Sequence, residues 1–301
     1  MSQLSAGHPS NMGIELASQP ETWARAQELR DAQALLPSAG QRVAVVGCGT
    51  SWFMAQAYAT LREAGGHGET DAFAASEAFV DRGYDAVVAL TRSGTTTEVL
   101  ELLDGLSSKV HTIGVVGDEQ SPLVNSVDSL VSLSFADERS VVQTRFATTA
   151  LALFRASLGH DLTPAIADAE RALAEELAPE LVDAEQYSFL GSGWTVGLAH
   201  EAALKMREAS QSWTESYSAM EYRHGPISIA APGRVVWTFG QAPSGLDRQI
   251  AATGAHLELG TLEPMAELVR AQRVSLERAL ARGLNPDEPR NLTRSVVLDS
   301  Q

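Results

Sequence analysis

The chain has 301 residues, 44 % of them hydrophobic and 20 % charged, a globular balance that excludes wholesale disorder. Acidic residues outnumber basic ones 38 to 22, giving a formal charge of −16, so the surface repels nucleic-acid phosphates and anionic membranes. No apolar run approaches the ~20 residues that span a bilayer, and one cysteine, Cys48, excludes an internal disulfide and a cysteine-rich metal site.

The N-terminal stretch through Glu21 has neither a basic start nor an apolar core, so no signal peptide and a cytoplasmic location are expected. Residues 1–34 read as a helical extension. The run Arg42-Val43-Ala44-Val45-Val46-Gly47 follows, rich in valine and without polar alternation, which predicts a strand buried on both faces. Cys48-Gly49-Thr50-Ser51 then leads into a helix from Trp52 to Ala64. Gly47-Cys48-Gly49 is part of a dinucleotide fingerprint, but Phe53 and Met54 stand where the third glycine belongs, so no nicotinamide cofactor is expected. Further strands are predicted at 72–74, 85–90, 110–116 and 129–133, with helix over Thr97–Leu106 between two of them. Strands alternating with helices predict a parallel α/β sheet.

A helix from about Ala147 to Leu181, broken near Gly159–Thr163, joins two halves. The second half opens with Tyr187-Ser188-Phe189-Leu190-Gly191-Ser192-Gly193-Trp194, repeating the strand, Gly-polar-Gly turn and helix of the first. Strands are expected at 234–239 and 256–259, and a helix from Pro264 to Arg282 that Gly283 ends. The domain division is a first domain over 35–165, a second over 180–284, and a tail over 285–301 that packs back near the site.

Two groups of residues carry chemistry. Leu90-Thr91-Arg92-Ser93-Gly94-Thr95-Thr96-Thr97-Glu98 joins a buried strand to a helix, where free N–H groups and the helix dipole favour an anion. Its hydroxyls and Arg92 make a nest for a phosphate monoester, with Thr50 and Ser51 on the same carboxyl edge of the sheet. A plain helix N-cap would need only one of these hydroxyls. The second group is His200-Glu201-Ala202-Ala203-Leu204-Lys205-Met206-Arg207-Glu208. Glu201, Lys205 and Glu208 share one helix face, which by spacing alone reads as a solvated ion-pair ladder. Two facts argue for more. Lys205 is one of only two lysines against twenty arginines, and the stretch that follows ends in Glu221-Tyr222-Arg223-His224-Gly225-Pro226. The seven histidines show no chelate spacing, so no metal is expected.

With Pro289-Arg290-Asn291-Leu292-Thr293-Arg294-Ser295-Val296, these motifs resemble the sugar isomerase (SIS) family. The likeness is to the isomerase half of glucosamine-6-phosphate synthase and to free-standing amino-sugar-6-phosphate deaminases and ketosamine-phosphate deglycases. The resemblance implies two tandem SIS domains, each a five-stranded parallel sheet flanked by helices in a flavodoxin-like three-layer sandwich. It also implies a homodimer with shared active sites, no cofactor, and a sugar phosphate as ligand. Ser51, Ser93 and Thr96 would hold the phosphate, with Thr50, Thr91, Arg92, Glu201 and Arg294 as further substrate-binding positions. Glu208 falls on the base that moves a proton between C1 and C2, Lys205 on its neighbouring lysine, and His224 on the ring-opening histidine that the synthase takes from the partner subunit. Arg92 replaces a glutamine. Arg294 replaces the lysine that forms an imine with the keto sugar, and a guanidinium stays protonated, so amination by that route is not expected. The glutamine-hydrolysing domain is absent from these residues. The implied activity is a hexose or amino-hexose 6-phosphate isomerase or deaminase working through an enediol or enolamine. The alternatives are a ketosamine-6-phosphate deglycase or a sugar-phosphate sensor without chemistry.

Overall fold

The computed structural model describes residues 10–106 and 109–298; the ends of the predicted extension (1–9) and tail (299–301) lie outside them. Two compact units form, and neither is continuous in sequence.

The first unit is built from residues 21–138, 145–162 and the tail from Thr293. Its sheet contains β1 (Val43–Gly47), β2 (Thr70–Ala74), β3 (Ala86–Thr91), β4 (His111–Val116) and β5 (Ser129–Ser132), all parallel in the order β2-β1-β3-β4-β5. Every residue of β1 and β3 is buried, as their β-branched, unalternating composition requires of strands covered on both faces. Val46 lies opposite Phe73 on one side and Ala89 on the other. Helices Thr50–Ala64, Thr97–Asp104 and Arg145–Ser157 supply the cover. Val87 and Ala89 pack with Val99 and Leu103 of the second of these, and burying each Val or Leu side chain is worth roughly 1.5–3 kcal/mol. Tyr58 stacks on Phe154 with ring centroids 4.2 Å apart, tying the first helix to the third.

The second unit comprises residues 10–20, 139–144 and 163–292. It holds β6 (Gln186–Gly191), β7 (Thr214–Ser218), β8 (Arg234–Phe239) and β9 (His256–Leu259), parallel in the order β7-β6-β8-β9. This repeats the β2-β1-β3-β4 connectivity of the other sheet. The fold is α/β with parallel sheets flanked by helices, as expected, but the expected five strands per sheet hold only for the first. Among the described residues the second sheet has four. After β9 the chain enters the 18-residue helix Pro264–Ala281, with Pro264 at its first turn and Glu263 accepting from the Met265 N–H as N-cap. The next apolar run, Val296-Val297-Leu298, belongs to the first unit.

Two other differences have local causes. The long joining helix is two helices, Arg145–Ser157 and Thr163–Ala174, separated at Gly159 (φ +84°). The second ends at Ala174, and Pro179–Val182 forms a separate short helix, with Ala178 extended ahead of the proline. Strand β7 was not anticipated. Its Thr-Glu-Ser-Tyr-Ser composition has no apolar run, and it forms as an edge strand on β6, with Tyr187 opposite Thr214. Among the described residues, no helix is long and apolar enough to cross a membrane.

Candidate active site

In the first unit, β1 and β3 are neighbours and both end at one edge of the sheet. Thr50 and Ser51 open the helix after β1, both buried. A Cβ on Gly47 would lie 2.8 Å from the Ser51 Cβ, so the glycine lets the strand pass close under the helix start. After β3, residues 92–96 turn the chain into Thr97–Asp104. Gly94 has φ +62°, and a Cβ there would lie 1.9 Å from the Ser121 Oγ. The Gly94 N–H donates to the Thr91 hydroxyl at 3.3 Å, and the Thr95 N–H donates to that of Ser93 at 3.3 Å. The turn thereby holds its own hydroxyls in place.

Those hydroxyls converge. The Ser295 Oγ lies 3.1 Å from the Ser93 Oγ, 2.9 Å from the Thr95 Oγ1 and 3.5 Å from the Thr96 Oγ1. The Thr97 N–H, at the helix start, donates to the Val296 carbonyl at 3.2 Å. Arg92, 2 % exposed, donates from Nη2 to the Arg294 carbonyl at 2.7 Å. Arg294 in turn places Nη2 2.7 and 2.8 Å from the two carboxylate oxygens of Asp137, and its Nη1 donates to the Glu138 carbonyl. Residues 294–298 thus pack on the turn after β3. Asp137 and Ser295 are the residues here that sequence reasoning did not single out. Ser295 sat within a noticed motif, whereas nothing around Asp137 marked it.

In the second unit, helix Thr195–Ser210 carries Glu201, Lys205 and Glu208. Lys205 lies 3.6 Å from Glu201 and hydrogen-bonds Glu208. The side chains of Lys205 and Glu201 are 1 % exposed and that of Glu208 18 %, so this is no solvated ladder. Three charges on one face are buried together, and Glu208 is the one that reaches the surface. It lines a cavity of about 390 Å³ with Arg207, Gln211, Arg290 and Asn291. Gln211 (φ +52°) and Asn291 (φ +63°) are the only non-glycine residues with positive φ among those described, and both line this cavity. The Arg207 Nη1 donates to the Thr214 Oγ1 at 3.0 Å, fixing one cation of the wall. On the same helix, burial and then Arg207 push the His200 imidazole below its usual pKa, and its Nδ1 lies 2.9 Å from the Ser216 Oγ. His224 stands exposed at the end of the 3₁₀ turn Glu221–His224, ahead of Gly225 (φ +134°). The structure thus brings together Glu201, Lys205 and Glu208 in one unit, and the hydroxyls of Ser93, Thr95 and Thr96 in the other.

No family model matches the chain. A glutamine–fructose-6-phosphate aminotransferase (isomerizing) of Pyrobaculum aerophilum is 27 % identical over 97 % of this chain. The homologues are the isomerase domains of such aminotransferases. The chain spans 58 % of the length of the Pyrobaculum protein. Among solved structures, a glucosamine-6-phosphate deaminase of Thermotoga maritima superposes with a TM-score of 0.80 at 25 % identity, covering 96 % of this chain and all of that one. A tagatose-6-phosphate ketose/aldose isomerase of Escherichia coli has the same fold, with a TM-score of 0.78 at 19 % identity, covering 99 % and 98 % of the two chains. The SIS resemblance read from the motifs therefore stands, and the fold is that of the phosphosugar isomerases.

Proposed function

We propose that the chain is a phosphosugar isomerase of the deaminating kind, acting on a 2-amino-hexose 6-phosphate. The observation that carries this reading is Glu208, a carboxylate held by the buried Lys205 yet open on a cavity whose size suits a hexose. A base that must remove a carbon-bound proton needs this combination of fixed position and access. The Ser93–Thr96 turn after β3 supplies the phosphate site through its hydroxyls, with the helix-start N–H of Thr97 beside them. The Thermotoga neighbour's name supports an amine at C2, and the Escherichia neighbour's name supports the shared aldose–ketose step.

In the proposed reaction His224 moves a proton between O1 and O5 to open the ring. Glu208 takes the C2 proton, the electron pair forms the C1–C2 double bond of an enolamine, and the C1 oxygen gains a proton. Glu208 then returns its proton to C1 while the C2 nitrogen becomes an imine. Water adds to C2, and the C–N bond breaks to give ketose 6-phosphate and ammonia. Lys205 orients Glu208 and offsets charge developing on oxygen. With a hydroxyl at C2 the same steps stop at the ketose. Arg294 takes no part as an imine former, because its guanidine group is engaged by Asp137. We assign the working form as a homodimer in the cytoplasm.

The test is Glu208→Gln with glucosamine 6-phosphate, following ammonia and fructose 6-phosphate together. Turnover should fall by about 10²–10⁴ with binding retained. A wild-type chain that binds the sugar phosphate but releases neither product would make it a sensor instead.

A further inference from the structure

The anion nest holds part of the chain's own tail. Three hydroxyls, of Ser93, Thr95 and Thr96, lie within 3.5 Å of the single Ser295 oxygen. That is the arrangement a phosphate oxygen would demand of them. The Thr97 N–H, one of the helix-start donors an anion would use, is taken by the Val296 carbonyl. Two arginines keep the segment seated: Arg92 grips the Arg294 carbonyl, and Arg294 forks onto both oxygens of Asp137.

We propose that Arg294–Val296 is a latch in which Ser295 stands in for a ligand oxygen, so that a phosphate monoester must displace the tail to bind. The proposal rests on the reading of the Ser93–Thr96 turn as the phosphate site. Exchange is feasible because the two sides differ in strength. The tail offers a neutral hydroxyl and a carbonyl, whereas a phosphate dianion makes charge-assisted hydrogen bonds roughly twice as strong. The Arg294–Asp137 pair that resists the exchange is about one-third exposed, and pairs of that exposure are weak. Affinity for a sugar phosphate is then lowered in proportion to the fraction of molecules with the latch closed. Arg92 and Arg294 act as positioning residues of the tail.

The experiment uses the full chain and fructose 6-phosphate as probe, with calorimetric titration and hydrogen exchange of residues 293–298. Arg294→Ala should bind the probe up to about five-fold more tightly than the parent, since it removes an ion pair whose ceiling corresponds to about that factor in an equilibrium constant. Arg294→Lys, which keeps the charge and loses the Nη1 bond to the Glu138 carbonyl, should fall between them. In the parent, saturating probe should speed exchange at the Leu298 amide, which donates to the Thr97 Oγ1 when the tail is seated. Weaker or unchanged binding by Arg294→Ala, or slower tail exchange with probe, overturns the latch; if Ser93→Ala also weakens binding, the phosphate site itself survives. Ser93→Ala binding as well as the parent overturns both.

Discussion

Lys205 lies 3.6 Å from Glu201 in the middle of an amphipathic-looking helix, with both side chains 1 % exposed. This ion pair lies out of water, and it fixes the end of Lys205 that bonds Glu208.

Glu201→Gln should therefore cost stability well beyond a surface substitution. Removing one partner of a buried pair leaves an under-compensated charge, a loss of about 3–5 kcal/mol. Because Lys205 keeps Glu208, the lower end is expected, about 3 kcal/mol. Urea denaturation of variant and parent measures it; a change below about 0.5 kcal/mol, the range of ordinary surface substitutions, would show that Glu208 alone satisfies the lysine.

Gly94→Ala should damage the nest and the fold together. The position has φ +62°, and the new Cβ would sit 1.9 Å from the Ser121 Oγ and 2.5 Å from the Ser121 Cβ, with Ser121 buried. Strain and overpacking of this kind cost about 1–3 kcal/mol each. A lower melting temperature together with weaker fructose 6-phosphate binding is the expected result. Binding retained at parental affinity would show that the turn is only structural.

Tyr187 sets an alkaline limit. Burial, the largest cause, pushes its phenol up to about 12, although Arg278 works in the opposite direction. The hydroxyl donates to the Leu181 carbonyl at 2.6 Å, a bond that a phenolate cannot make. A group whose folded pKa is raised contributes stability that is complete below its unfolded pKa, near 10, and lost as pH climbs towards 12. Stability of the parent should fall across that window. Tyr187→Phe should be less stable at neutral pH and show a shallower fall from pH 10 to 12; an unchanged slope would assign the alkaline loss to other groups.

Much of this was legible in the residues. The valine runs of β1 and β3 announced strands covered on both faces, because such runs have nowhere else to go. The i, i+4, i+7 spacing put Glu201, Lys205 and Glu208 on one face, since helix geometry is local. The spacing could not say that this face is buried, which turns a surface ladder into an enclosed ion-pair cluster. Strand β7 escaped because an edge strand needs no apolar run, only a partner to pair with. Arg92 and Arg294 stood out as departures from the family pattern, but their shared use did not.

The sequence by itself determined the α/β alternation, the repeated strand–turn–helix openings and the hydroxyl-rich turn at Ser93, all set by periodicity and turn chemistry within a few residues. Only the tertiary structure decided that Ser93 meets Ser295 across 202 positions, that Arg294 closes on Asp137, and that the second sheet has four strands among the described residues. Those outcomes depend on which surfaces remain uncovered once the helices and strands have packed, and no local pattern in the chain records that.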